Sequence, residues 1–466
     1  MPEFHSEPYL YLPSVSHKSV LVAWGAFYFR TSSNGKWKIV DDNDLKYVHP
    51  PRKDSIGARS APYGPARVEV YDGSGRAVGV ATTEVANHCW IAGLTPGTEY
   101  TYKVFVKGQE WGEGDRWDWS AKDRALVQTG RRYDNRFCTN PDPNVPAGAL
   151  AFTVIGDFGV GVKQDSPAHR QQQVADAMLK IIDAEHVRLI ITTGDNIYAG
   201  SRILGIPIGG TGDEDDDWFF TYFQPYRYII NRIPVYPSIG NHDADETEER
   251  DDRAQVEDNF YIRERILGEE AAGRASFCPG LFYKFRYGSD IEFVCIDTSK
   301  EDFFRGKRLF EYPKHWDFIE QSFPAGGDSV SWRIPFCHHP LFSAGPQHHN
   351  TKGMDRLIPV FDRAGVRVMF TGHEHNFQYS QAGAFHHFVT GAAGKHRRTP
   401  PSDFADAHTV SWSTDCHFLL ARIEGPRMVV RAIGGIDPPA DPPADIVRLG
   451  PDGNPVTAPM EIKSAV

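Results

Sequence analysis

Val368-Met369-Phe370-Thr371-Gly372-His373-Glu374-His375-Asn376-Phe377 runs from an apolar, strand-like segment into a turn that carries two histidines one residue apart. Side chains at i and i+2 of an extended chain point to the same side. His373 and His375 can therefore serve one site, and paired neutral imidazoles suit metal binding. Among 19 histidines one such pair is weak evidence, so its meaning rests on the rest of the chain.

Apolar runs at 150–155, 187–192, 291–296, 334–337, 366–370, 386–389 and 418–423 predict buried strands, and residues 166–186 carry helical spacing through Val174, Met178, Ile181 and Ile182. Alternating strand and helix predict an α/β domain over residues 147–435, with its functional loops at strand C-termini. Residues 1–140 read differently. Short alternating runs such as Ser19-Val20-Leu21-Val22-Ala23-Trp24, Ala66-Arg67-Val68-Glu69-Val70-Tyr71 and Tyr100-Thr101-Tyr102-Lys103-Val104-Phe105-Val106 predict an all-β sandwich. An insertion around 30–60 leaves its strand count open. Residues 436–466 open with Asp437-Pro438-Pro439-Ala440-Asp441-Pro442-Pro443, which cannot pair in a central strand, and read as a tail or wrapping segment.

The 466 residues are 40% apolar and 24% charged, a globular composition long enough for two or three domains. No run approaches the roughly 18 apolar residues of a membrane span, and the N-terminus has no basic and apolar leader. As written the chain reads as cytoplasmic, with secretion open if a leader is missing. A net charge of −11 argues against a nucleic-acid partner. Six scattered cysteines form no C-x-x-C pair. The run Asp213-Glu214-Asp215-Asp216-Asp217 reads as the acidic first turn of a helix reaching Ile230, which suits the helix dipole better than a calcium site.

Five loops end predicted strands: Gly156-Asp157-Phe158-Gly159, Gly194-Asp195-Asn196-Ile197-Tyr198, Gly240-Asn241-His242-Asp243, Cys337-His338-His339-Pro340 and Gly372-His373-Glu374-His375. Together they offer two carboxylates, a phenol, an amide and three imidazoles, an inventory suited to two metal ions held close together. The basic loop Gly394-Lys395-His396-Arg397-Arg398 reads as a solvated turn.

This ordered set resembles the purple acid phosphatases of the calcineurin-like metallophosphoesterase superfamily, over residues 150–435. The stretch Ile91 to Tyr102, with its Leu94-Thr95-Pro96-Gly97, resembles a fibronectin type III corner whose Tyr hydrogen-bonds back across the turn. The resemblance implies an α/β metallophosphoesterase sandwich, two mixed β-sheets flanked by helices, preceded by an all-β fibronectin III-like sandwich domain. It also implies a ligand set. Asp157, Tyr198 and His375 would hold Fe(III), Asp195 would bridge, and Asn241, His338 and His373 would hold a divalent ion (Fe, Zn or Mn). In Cys337-His338-His339-Pro340 the match is to H-x-P, with His338 the ligand.

Most relatives carry G-D-x-H in the first motif, where this chain has Gly159. Tyr198, three residues past Asp195, can replace the missing imidazole. A phenol of ordinary pKa near 10 ionises at neutral pH only beside a strongly polarising cation, which favours trivalent iron. The implied substrate is a small phosphate monoester, attacked in line by hydroxide generated at the metals. His242, His348 and His349 are candidates for phosphate contact and proton donation, with the choice between His348 and His349 open. Asp243 is expected in a supporting role, and activity is expected to fall as pH rises. Alternatives are a phosphodiesterase, phosphotriesterase or nucleotide pyrophosphatase of the same superfamily, or a non-catalytic binding protein.

Overall fold

The computed structural model describes residues 3–33, 35–39, 64–164, 170–198, 201–203, 206–208, 218–244, 252–265, 281–300, 306–326, 329–434, 436 and 439–465. The acidic run at 213–217, most of the expected insertion at 30–60, and Cys278 lie outside the described residues. The chain divides into two compact units. The first comprises Met1–Asp142, Gly161–Asp165 and Asp213–Val235, and the second Pro143–Val160, Ser166–Gly212 and Tyr236–Val466.

Antiparallel ladders build the first unit. Ser19–Thr31 pairs with Phe4–Val15 and with His88–Ala92, and Ala66–Tyr71 lies between Ala77–Thr83 and Glu99–Val106. Glu99–Val106 alternates strictly: Tyr100, Tyr102, Val104 and Val106 face a core shared with Leu10, Trp24, Val68 and Phe137. The period of two follows from the pleat, and apolar burial on one face holds the register. At the expected corner the Tyr100 hydroxyl accepts the Thr95 N–H at 2.9 Å. Arg227, 2% exposed, is held by Glu7 at 2.6 Å and Asp118 at 3.2 Å. Its charge is balanced within the unit.

Two mixed sheets form the second unit. One includes, in order, Val187–Thr192, Ala149–Ile155, Phe418–Glu424, Arg427–Ile433 and Met460–Lys463, the first two of these parallel and the rest antiparallel to their neighbours. The other runs Tyr283–Tyr287, Ile291–Cys295, Trp332–Phe336, Val368–Thr371, Phe385–Thr390, Phe377–Ala382 and Thr409–Ser413, parallel from Ile291–Cys295 through Phe385–Thr390. Parallel strands buried on both faces read as continuous apolar runs. That is why these segments are visible in the sequence. The helix Gln171–Ala184 buries Val174, Met178, Ile181 and Ile182 along one face, as the spacing predicts. The segment read as a Pro-rich tail ends differently: past the prolines, Met460–Lys463 joins the first sheet as an edge strand. Among the described residues no helix is long and apolar enough to cross a membrane.

The sheets share one core. Phe152 of the first meets Phe293 edge-on at 5.1 Å and Phe370 at 5.9 Å from the second, with Val154, Ile334 and Phe388 around them. Parallel direction then gathers the turns after Ile155, Thr192, Phe336 and Thr371 at strand C-termini. Removing the Phe152 ring opens a cavity between the sheets. Phe152→Ala is expected to destabilise the second unit by about 3–5 kcal/mol, read as a lowered urea midpoint.

Candidate metal centre

Turns from both sheets meet at a buried carboxylate pair. One ligand atom each from Asp157, Asp195 and His375 lies within 4.8 Å of the others, and the three residues are buried. The Tyr198 hydroxyl stands 3.4 Å from His375 Nε2, which is 3.4 Å from Asp157 Oδ1. A second cluster adjoins the first. His338 Nε2 lies 2.9 Å from Asn241 Oδ1, 3.0 Å from His373 Nδ1 and 3.4 Å from Asp195 Oδ1. The structure thus gathers all seven residues expected as ligands, and Asp195 touches both groups.

Backbone geometry at these positions is unusual. Asp157, Asp195 and His373 have φ of 55°, 51° and 71°, the left-handed region that side chains rarely adopt. Each such residue costs on the order of 1–2 kcal/mol. Strain of this kind concentrates at functional sites. Here it turns N–H groups inward: His373 donates to Asp157 Oδ2 at 2.9 Å and His242 to Asp195 Oδ1 at 3.1 Å.

Gly159 has a steric reason to be glycine. A Cβ there would stand 2.4 Å from the Ile197 Cα and 2.5 Å from the Asn196 carbonyl. The backbone leading to Tyr198 occupies the space that an imidazole at 159 would need. Gly240 is equally confined, since a Cβ would meet Asp195 Oδ1 at 2.1 Å.

The donor set fits cations. His338 Nδ1 lies 2.8 Å from the Thr193 carbonyl, which fixes the proton on that nitrogen and leaves a lone pair on Nε2. That lone pair faces an amide oxygen and another imidazole nitrogen. Asp157 Oδ1 is buried without a hydrogen-bond donor among the described residues. Buried acceptors facing one another are costly unless something positive lies between them.

Electrostatics agree. Burial, with the charge of Asp195, pushes the Asp157 carboxyl well above its ordinary range. Asp195 feels the same burial, but His338, His242 and His375 outweigh it and hold its carboxyl low. Burial pushes Tyr198 well above the usual phenol range, and both carboxylates add to this. Burial takes His375 down to about 3, helped by Lys395, and takes His373 well below the imidazole range. Both rings are neutral at ordinary pH, the form in which an imidazole can donate to a cation.

His348 and His349 part company. The His348 ring lies 3.8 Å from the His373 ring, whereas His349 turns outward to Asp403 at 2.9 Å. His339 faces Thr298, with Nδ1 3.0 Å from its hydroxyl, so of the two adjacent histidines it is His338 that enters the cluster. The His242 ring stacks 4.5 Å from Tyr198.

Asp243 braces the backbone of two loops. It accepts from the Ile197 N–H, the Gly240 N–H and the Asn196 side chain at 2.9, 2.8 and 2.7 Å, tying the Tyr198 turn to the Asn241 turn. The basic loop corrects the reading of a solvated turn. Lys395 N–H donates to the Asp157 carbonyl and Arg397 N–H to the His375 carbonyl, which pins the loop to the site. The Lys395 ammonium then sits 4.2 Å over the Tyr198 ring and Arg397 pairs with Glu374 at 2.7 Å. Sequence reasoning missed Glu374.

Comparison with known proteins agrees with this geometry. The Calcineurin-like phosphoesterase family model matches residues 150–377. Residues 150–377 thus form a calcineurin-like phosphoesterase domain. It is similar to purple acid phosphatase 4 of Arabidopsis thaliana, 25% identical over 250 residues, which are 51% of this chain and 65% of that protein. The match thus spans less than two thirds of that relative's length. Purple acid phosphatase PPD1 of yellow lupin (Lupinus luteus) superposes with a TM-score of 0.58 at 14% identity, covering 98% of this chain and 74% of that one. PhoD superposes with a TM-score of 0.58 at 13% identity, covering 99% and 92%. At such identities these two structures speak to the fold alone.

Gly159→Ala is expected to push residues 196–198 aside, cost about 2 kcal/mol and lower the metal bound per chain. Elemental analysis beside a urea titration checks both.

Proposed function

We propose that the chain is a binuclear metal-dependent hydrolase of phosphate monoesters of the purple acid phosphatase type. Asp157, Tyr198 and His375 would hold Fe(III), Asn241, His338 and His373 would hold a divalent ion, and Asp195 would serve both. One observation carries the reading: the Tyr198 hydroxyl approaches His375, itself beside Asp157, where Gly159 has no room for an imidazole. On the same footing the N-terminal sandwich is fibronectin III-like, because Tyr100 makes the expected corner bond.

When bound, the cation pair supplies the positive charge that phosphoryl transfer develops against and lowers the pKa of water. The chain's own residues do the rest. Asn241 and His338 keep their donor atoms together, and His242, stacked on Tyr198, lines the same pocket as a phosphate contact. His348, whose ring lies against His373 and 6.3 Å from His375, donates a ring proton to the departing ester oxygen. The products are the alcohol and inorganic phosphate.

Burial pushes His348 down to about 4, and His375 and Arg397 act the same way. A proton donor works in its protonated form, which dominates below its pKa and is lost as pH rises through it. Turnover is therefore expected to fall as pH rises from the acid range, and His348→Ala should flatten that limb of the kcat profile.

Elemental analysis with a visible spectrum tests the metal assignment. The oxidised protein should be coloured by phenolate-to-iron charge transfer, and Tyr198→Phe should abolish the band. Colourless wild-type protein holding two zinc ions would overturn the iron assignment. Faster turnover of bis(4-nitrophenyl) phosphate than of 4-nitrophenyl phosphate would overturn the monoester reading.

A further inference from the structure

Residues 373–376 form the turn that leads into the strand Phe377–Ala382, with His373 in the left-handed region. His373 and His375 face the carboxylate pair. Glu374, Asn376 and Gln378 face the other way, and each is 0% exposed. All three reach the segment 343–350 that carries His348. Glu374 Oε2 accepts the Gln347 N–H at 3.1 Å and the His348 N–H at 2.6 Å. Asn376 Nδ2 and Gln378 Nε2 donate to the Gly345 carbonyl at 3.1 and 3.0 Å, and Gln378 Oε1 accepts the Ala344 N–H at 2.8 Å. Glu374 Oε1 accepts from Arg397 Nη1 at 2.7 Å, which balances its buried charge.

A surface loop needs no such anchor. Three polar side chains are buried completely to hold one short segment, and the bonds to Glu374 fall on the amide of His348 and its neighbour. The side chain on that amide lies over His373. We propose that Glu374 is a positioning residue for the phosphoester reaction. It fixes the backbone beneath His348 so that the ring stays against His373, with Asn376 and Gln378 completing the grip and Arg397 supplying the countercharge. The turn 373–376 and the start of the strand after it thereby present imidazoles to the carboxylate pair and hold the proton-donor loop with the side chains between them. The proposal rests on the reading of His348 as the proton donor.

The test uses the metal-loaded full chain and two esters. Ethyl phosphate releases an alkoxide that needs a proton, whereas 4-nitrophenolate leaves without one. His348→Ala is expected to lose ~100-fold in kcat on ethyl phosphate and under ~10-fold on the nitrophenyl ester. Glu374→Ala should reproduce that split at ~10-fold or more, with metal content unchanged. The double variant should fall no further than His348→Ala alone, since both changes remove one function. Glu374→Gln, whose amide oxygen still accepts both N–H groups, should recover most of the loss. Equal losses on both esters for Glu374→Ala, or a double variant lower by its full factor, would overturn the proposal. If His348→Ala itself shows no split, the proton-donor reading fails instead. Should Glu374→Ala not fold, Gln378→Ala carries the same comparison without uncovering a charge. A smaller split of the same sign supports the grip, and equal losses refute it.

Discussion

Two carboxylates are buried side by side, and the rest of the second unit is arranged around that fact. Asp157 is 0% exposed and Asp195 1%. Two like charges at about 4 Å repel by about 4 kcal/mol even at an effective dielectric of 20. Inward-turned amides at residues 373 and 242 offset part of this. Left-handed backbone at both aspartates and at His373 is the conformational cost of aiming those groups. Cations would complete the balance, and the neutral donors around the pair suit them.

Rigidity of the surroundings makes such a site durable. Phe152, Phe293 and Phe370 lock the two sheets face to face, so turns from different sheets keep their spacing. Asp243 adds a local tie. Its carboxyl, raised to about 7 by burial and by the charge of Asp195, accepts from groups on both the Tyr198 turn and the Asn241 turn. Each proposed ligand therefore stands on backbone that is itself held.

Much of this was legible beforehand. Parallel strands covered on both faces leave continuous apolar runs, so their positions could be read, and the G-D, G-N-H-D and G-H-x-H turns followed at their ends. Other features depended on partners far away in the chain. The loop at 394–398 looks like a solvated basic turn because nothing nearby reveals that the carbonyls of Asp157 and His375 hold it. Asp243 sits beside His242 in sequence, yet its partners are Asn196 and Ile197.

Carboxylate, phenol, amide and imidazole are properties of letters, so the chemical inventory of the five loops was readable, while the choice of seven donors among them followed from the resemblance to the purple acid phosphatases. The choice between His348 and His349 was of another kind. Neighbours in the chain, they differ in nothing local, and their separation follows from where Glu374 and Asp403 reach. Long-range hydrogen bonds have no signature in the order of residues, so that choice waited for the packed chain.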